Sequence, residues 1–186
     1  MIILGVDPGT LITGYGVIEI ERGRITVLDF DVIINRGDRS MPLRLKEIYS
    51  RLTEVIAKFH PDEFAIETAF YGRNAQSALK LGHARGVSML AAVNNEIPTT
   101  EYSPREVKKS VAGNGAASKQ QVKFMVKSML GLRETPKLFD ATDALAVALC
   151  HQHRVSRTRT NSKSSVRKKD WSSFVKANPD RVVKPR

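Results

Sequence analysis

Two acidic residues end apolar runs typical of strands, and two more share one face of a predicted helix. Asp7 closes the run MIILGVD and Glu67 closes EFAIE, while Asp140 and Asp143 lie one turn apart in KLFDATDALAVALC. If the two strands are parallel neighbours, their carboxyl ends meet at one edge of the sheet. Converging carboxylates repel unless cations lie between them, and an oxygen-rich, histidine-poor set suits Mg²⁺ or Mn²⁺. Two such ions about 4 Å apart can activate a water and stabilise the leaving oxygen in phosphodiester hydrolysis.

Each of these residues also has an interpretation without metal. The DPG sequence that begins at Asp7 is typical of a plain turn, and Glu67 could pair with a neighbouring Lys or Arg. Asp140 and Asp143 fit the N-cap and N3 positions of their helix, where the macrodipole favours acids. The histidines of the HQH segment that follows are typical of solvated side chains at a helix end and do not indicate zinc.

The elements that must position these acids follow from hydrophobic patterning. Strands are predicted at 2–7, 14–21, 24–34, 63–67 and 99–102, and helices at 42–59, 74–94 and 140–153. Two capping boxes, SPRE at 103–106 and SKQQ at 118–121, begin two further helices on either side of the Gly-rich loop AGNGAA. This order predicts an α/β fold, a mixed five-stranded sheet flanked by helices.

The charge of the chain favours a polyanionic partner. The 186 residues carry a net charge of +11 and a pI near 10.0, and residues 151–186 contain 11 Lys and Arg against 2 Asp and Glu. Nucleic acid is the partner that this distribution indicates first. A solvated surface with a basic terminal extension is the alternative. We expect a folded domain over 1–153 and a basic, disordered C-terminal tail over 154–186.

Two features predict where the chain works and how it assembles. Cys150 is the single cysteine, and no signal sequence or apolar run of about 20 residues is apparent, so we expect a cytoplasmic protein with no membrane partner. Gly82 and Gly86 lie one turn apart inside the predicted helix 74–94. Small residues at that spacing allow a second backbone to approach, so this helix is a candidate for a helix or subunit contact.

Four stretches of the chain resemble one known family. They are ILGVDPGTLITGYGVIE, AIETAFYGRNAQSALKLGHARGVSML, EYSPREVKKSVAGNGAASKQQV and DATDALAVALCH. In this order they resemble RuvC, the family of bacterial Holliday-junction resolvases with a ribonuclease H-like fold. The first stretch is shared with other ribonuclease H-like proteins, whereas the second and third are specific. The resemblance covers roughly residues 1–153, and the long basic tail departs from it, which leaves the role of the tail open.

The resemblance implies roles for particular residues. Asp7, Glu67, Asp140 and Asp143 would be the catalytic acids and would hold two Mg²⁺ ions per subunit, with Mn²⁺ as a substitute. Phe70 would stack on a base at the opened centre of a four-way DNA junction, although Tyr71 beside it is an alternative.

Further expectations concern the DNA backbone and the partners. Lys108 and Lys119 would contact the phosphate backbone near the scissile bond; without the resemblance they would be taken as solvated helix surface. A homodimer would nick two opposed strands symmetrically, leave 3′-hydroxyl and 5′-phosphate ends, and work with the RuvA–RuvB branch-migration complex.

Three other function classes compete with this hypothesis. A phosphotransferase of the actin or sugar-kinase type also uses an Asp-x-Gly-Thr turn, but it needs a second domain and a second phosphate loop, which the sequence does not supply. A catalytically silent DNA-binding module would place four acids near phosphates without metal. A nuclease acting on structured RNA would share the chemistry and differ only in substrate.

Overall fold

The strands and helices lie close to their predicted positions. The structure, a computed structural model, describes residues 1–68, 75–132 and 139–164. The strands are β1 (Ile2–Asp7), β2 (Ile12–Glu21), β3 (Arg24–Ile34), β4 (Glu63–Glu67) and β5 (Thr99–Tyr102), and the helices are α1 (Met41–Phe59), α2 (Ala75–Val93), α3 (Pro104–Ala112), α4 (Lys119–Leu130) and α5 (Phe139–Ser164). Both predicted capping boxes are formed, with Ser103 and Ser118 as the N-caps of α3 and α4.

The five strands form one mixed sheet in the order β3-β2-β1-β4-β5. β1 is antiparallel to β2, with Asp7 opposite Gly14, and parallel to β4, with Val6 opposite Ile66. β5 is parallel to β4 and places Tyr102 opposite Glu67. The carboxyl ends of β1 and β4 therefore lie at the same edge of the sheet, as the sequence analysis expects for parallel neighbours, and the carboxyl end of β5 lies at this edge too.

Helices cover both faces of the sheet, so the fold has three layers. Neighbouring strand residues alternate between the two faces: Ile3 packs with residues of α3, α4 and α5, and Leu4 packs with residues of α1 and α2. α5 is buried without interruption from Ala144 to His151. This arrangement confirms the predicted α/β class with a five-stranded mixed sheet flanked by helices. The expectation that the histidines of the HQH segment are solvated was wrong for His151, whose Nδ1 lies 2.8 Å from the hydroxyl of Tyr102.

Glycines in β1 and β2 let α5 lie against the backbone of the sheet. A Cβ added at Gly5 would lie 2.3 Å from the carbonyl oxygen of Ala144, and one at Gly14 would lie 2.0 Å from that of Asp140. Neither distance is compatible with a side chain, so alanine at either position would push the helix away. The first turn of α5 is thereby held beside the end of β1.

α5 is longer than the sequence pattern predicts. The predicted helix ends at His153, whereas α5 continues to Ser164. The apolar periodicity stops at Arg154, but a helix that is already formed adds one backbone hydrogen bond for each further residue, even where the side chains are polar. The predicted end was therefore wrong, and a disordered tail stays a prediction for 165–186, which lie outside the described residues.

The chain divides into two units, Met1–His153 and Arg154–Arg186. The first contains the sheet with α1 to α4 and the buried part of α5. None of the described helices has both the length and the apolar character that crossing a membrane requires.

Candidate active site

A small cavity opens at the carboxyl edge of the sheet, where three predicted acids and two predicted lysines come together. Its volume is about 180 Å³. Its lining consists of Asp7, Glu67, Asp143, Lys108 and Lys119, with Pro104, Val107 and Val122. The charged groups come from five different elements, β1, β4, α3, α4 and α5, and only the fold brings them to one place.

Asp7 and Glu67 lie side by side because β1 and β4 are in parallel register, and each follows directly on the paired Val6 and Ile66. Burial, followed by the charges of Glu67, Asp143 and Asp140, raises the pKa of Asp7 well above its usual range. Burial and the charge of Asp143 raise the pKa of Glu67 to about 7. The two strand ends thus hold carboxylates that are costly to ionise without a nearby cation.

The first turns of α5 bring the second acidic pair to the same edge. Asp143 lines the cavity and pairs with Lys119, whose Nζ lies 3.1 Å from the Asp143 Oδ2. Burial raises the pKa of Asp143, and this effect outweighs the opposing attraction of Lys119. Asp140 is not among the residues that line the cavity, but its charge contributes to the raised pKa of both Asp7 and Asp143.

Lys108 and Lys119 reach the carboxylates from α3 and α4. Lys119 is the first residue of α4, where the Ser118 side chain accepts from the backbone N–H of Gln121 and fixes the start of the helix. Burial lowers the pKa of Lys119, but the charge and hydrogen bond of Asp143 more than offset it, so the pKa is raised overall. Both lysines lower the pKa of Glu67. The predicted lysines therefore face the acids.

The acids suit a hard divalent cation, although they do not form a closed cage by themselves. Over residues 1–68, 75–132 and 139–164, no three Asp, Glu, His or Cys side chains are close enough together to bind a metal without rearrangement. The donors are all carboxylates, and their repulsion is only partly balanced by lysines. Such an oxygen donor set with uncompensated negative charge fits Mg²⁺ or Mn²⁺.

Two further features complete the outcome of the sequence predictions. Phe70 and Tyr71 lie outside the described residues, so their roles stay predictions. Sequence reasoning missed Val107 and Val122, buried residues that form an apolar wall of the cavity. Each is an apolar residue four positions after a predicted N-cap serine, the position that often packs against the residue before the N-cap, so the sequence did contain a signal for both.

The sheet order, with acids at the ends of β1 and β4 and helices on both faces, places the protein in the ribonuclease H-like class. The family model "Crossover junction endodeoxyribonuclease RuvC" matches residues 3–151. A curated protein of that name from Salinibacter ruber is 49% identical over 182 residues, 98% of this chain and 99% of its own length. One from Chloroherpeton thalassium is 48% identical over 99% of this chain and 100% of its own.

Solved structures agree with these matches. "T. thermophilus RuvC in complex with Holliday junction substrate" superposes with a TM-score of 0.80 and 33% identity, covering 85% of this chain and 96% of that one. The yeast mitochondrial Holliday junction resolvase Ydc2, at 16% identity and a TM-score of 0.59, shares the fold. The chain belongs to the crossover junction endodeoxyribonuclease RuvC family.

Proposed function

We propose that this protein is a metal-dependent endonuclease that resolves four-way DNA junctions in recombination and repair by paired symmetric nicks. The observation that carries the proposal is the convergence of Asp7, Glu67 and Asp143 with two lysines in one cavity. It agrees with family membership over 3–151. The enzyme would act in the cytoplasm on four-way junction DNA and leave 3′-hydroxyl and 5′-phosphate ends.

The acids would hold the metal ions. Asp7, Glu67 and Asp143 line the cavity, and Asp140 lies near enough to contribute charge. Two Mg²⁺ ions bound there, or Mn²⁺ in their place, would activate a water and stabilise the leaving oxygen. The protein contributes a rigid frame, because each carboxylate stands at the end of a buried strand or in the first turns of a buried helix. Binding of the ions would then need only side-chain adjustment within this frame, and the charges would be in place before the reaction.

Lys108 and Lys119 would bind the DNA backbone next to the bond that is cut. Their ammonium groups face the cavity and offset part of the repulsion that a phosphate would meet from the acids. Lys119 also remains more than half exposed at its side chain, so it can contact DNA and Asp143 in turn. Phe70, three residues after Glu67, would stack on an unpaired base at the junction centre, with Tyr71 as the alternative ring.

The protein would act as a homodimer, and α2 offers the surface for it. Leu79, Gly82, Gly86, Leu90 and Val93 recur at helical spacing and are all exposed. A Cβ at either glycine would meet nothing within 4 Å among residues 1–68, 75–132 and 139–164. The glycines therefore do not serve a contact with another described helix of the same chain, and the stripe would be open to a second copy. A junction has two opposed strands to cut, and a twofold dimer supplies two sites. RuvA–RuvB would be the partner that moves the junction.

A single charge on this stripe is expected to separate the subunits. In Leu90→Arg, a guanidinium replaces a side chain that is 49% exposed in the monomer, and at a symmetric interface the charge would face its own copy. Light scattering after size exclusion should give a dimer for the unmodified chain and a monomer for the variant. Phe124→Arg, which changes the 70% exposed side chain on α4 across the sheet, is the control and should remain dimeric. A Leu90→Arg dimer would contradict the proposed interface.

The activity itself is tested by incubating the protein with Mg²⁺ and a mobile four-way junction, a linear duplex, a flap and an RNA–DNA hybrid. We expect symmetric nicks in the junction alone, and none in EDTA. Cleavage mainly of the hybrid would overturn the substrate assignment while keeping the metal chemistry. Tight junction binding without cleavage under any junction sequence would indicate a silent binding module.

A further inference from the structure

A second, larger cavity lies beside the active site on another face of α3. Its volume is about 430 Å³. Its lining consists of Ser103, Arg105, Glu106 and Lys109 with Gly113, Asn114 and Gly115. Among the described residues, it shares none with the carboxylate cavity. Neither the metal chemistry nor the contacts proposed for Lys108 and Lys119 use it.

α3 contributes to both cavities through adjacent faces. Pro104 and Lys108, four residues apart, point into the carboxylate cavity. Arg105 and Lys109, also four residues apart, line the second cavity. Because successive residues of a helix are separated by about 100° and 1.5 Å, the two pairs form parallel rows along one helix. A nucleic-acid strand that runs from the carboxylate cavity past Lys108 would therefore come next to Arg105 and Lys109.

The second cavity holds two cations and one acid, so its cations are only partly compensated. Arg105 and Lys109 are exposed, and neither forms an ion pair within the part of the chain that the structure describes. The nearby acid, Glu106, is held in the capping box, where its carboxylate accepts from the backbone N–H and the hydroxyl of Ser103. The cavity therefore presents net positive charge.

The Gly-rich loop positions one of these cations. A Cβ added at Gly115 would lie 2.6 Å from Cγ and 3.3 Å from Nε of Arg105, so the side chain of Arg105 lies directly over this glycine. Gly113 has a φ of 74°, a conformation that favours glycine and ends α3 sharply. The loop thus leaves an open surface beside the guanidinium of Arg105, which packs over Gly115. A phosphate could bind to the guanidinium there.

We propose that Arg105, Lys109 and the loop 113–115 form a second phosphate-binding surface, which holds the sugar–phosphate backbone of the junction arm that continues from the active site. The inference rests on the proposed function, since it assigns a path to the same DNA. Charge complementarity and continuity with the carboxylate cavity along α3 support it. The surface contacts phosphates alone, so it adds affinity without base preference.

The test is the salt dependence of junction binding by the full chain in EDTA, followed by fluorescence anisotropy between about 50 and 200 mM salt. Each phosphate contact contributes a slope of about −0.9 to log K against log salt. Arg105→Gln combined with Lys109→Gln should therefore make the slope shallower by about 2 and weaken binding roughly tenfold at the lower salt concentrations.

The matched control removes two cations elsewhere. Arg22 and Arg24 lie at the β2–β3 turn, at the opposite edge of the sheet, and Arg22→Gln with Arg24→Gln should keep the slope of the unmodified chain. An unchanged slope in the Arg105 and Lys109 variant, or an equal loss in the control, would overturn the second surface. The proposed function fails separately, if the unmodified chain neither prefers the junction nor cuts it.

Discussion

Replacing Asp7 by Asn is expected to abolish cleavage of a four-way junction while binding of that junction is retained or becomes tighter. The amide keeps the shape of the side chain but loses the charge that would hold metal. Turnover should fall by at least roughly a hundredfold to a thousandfold, the scale seen when one electrostatic element of a transition state is removed. Binding should not weaken, because a negative charge that faces the DNA phosphates is lost. Single-turnover cleavage with Mg²⁺ and anisotropy in EDTA measure the two effects.

The same substitution should also raise the melting temperature of the metal-free protein. Burial and three neighbouring acids raise the pKa of Asp7, so its ionised form destabilises the folded state at neutral pH, and the neutral amide does not. The opposite signs on activity and stability distinguish a functional acid from a structural one.

A matched control is available at the other edge of the sheet. Asp62 precedes β4, and its Oδ2 accepts from the backbone N–H of Ile2 at 2.6 Å, a bond that the oxygen of an amide can also accept. Asp62→Asn is therefore the same change of side chain at a position far from the cavity, and this variant should cleave the junction normally. Retained cleavage in Asp7→Asn, or an equal loss in both variants, would contradict the assignment of Asp7 to the metal site.

The positions of Asp7 and Glu67 were predictable from sequence, because they depend on local patterns and on one general rule about parallel strands. Asp7 and Glu67 each end an apolar run, and parallel register brings such ends together. The starts of α3 and α4 were predictable for a similar reason, since a capping box is a local pattern that needs no knowledge of the fold.

The contacts between distant elements were not predictable from patterning. The pairing of Lys119 with Asp143 joins the start of α4 to α5 across 24 positions of sequence. Asp140 and Asp143 share a face in an ideal helix, yet only Asp143 lines the cavity. α5 lies against the backbone of the sheet at Gly5 and Gly14, and its position along the sheet depends on such contacts between distant residues. Patterning reports which side of an element is buried, and it does not report axial position.

Glu67 is expected to make the stability of the metal-free protein fall as the pH rises from about 4.5 to about 7. Burial and the charge of Asp143 raise its pKa from 4.5 to about 7. Between these values the folded state holds a proton that the unfolded state has released, so the free energy of unfolding decreases with increasing pH. One pKa unit corresponds to about 1.4 kcal/mol, so the total effect is at most roughly 3 to 4 kcal/mol.

The measurement is the difference in unfolding free energy between Glu67→Gln and the unmodified chain in EDTA, from urea titrations across this pH range. The variant should gain stability relative to the unmodified chain up to about pH 7, and the difference should then level off. Glu54→Gln, which removes an exposed carboxylate paired with Arg51 on α1, reports the effect of losing one surface charge.

Mg²⁺ should stabilise the unmodified chain more than Glu67→Gln. A ligand that binds only the folded state adds stability, and the variant has lost a carboxylate that would bind the ion. If Glu67→Gln and Glu54→Gln give the same pH dependence, Glu67 does not take up the proton in the folded state. If Mg²⁺ stabilises Glu67→Gln as much as the unmodified chain, Glu67 does not bind the metal, and its assignment as a catalytic acid is wrong.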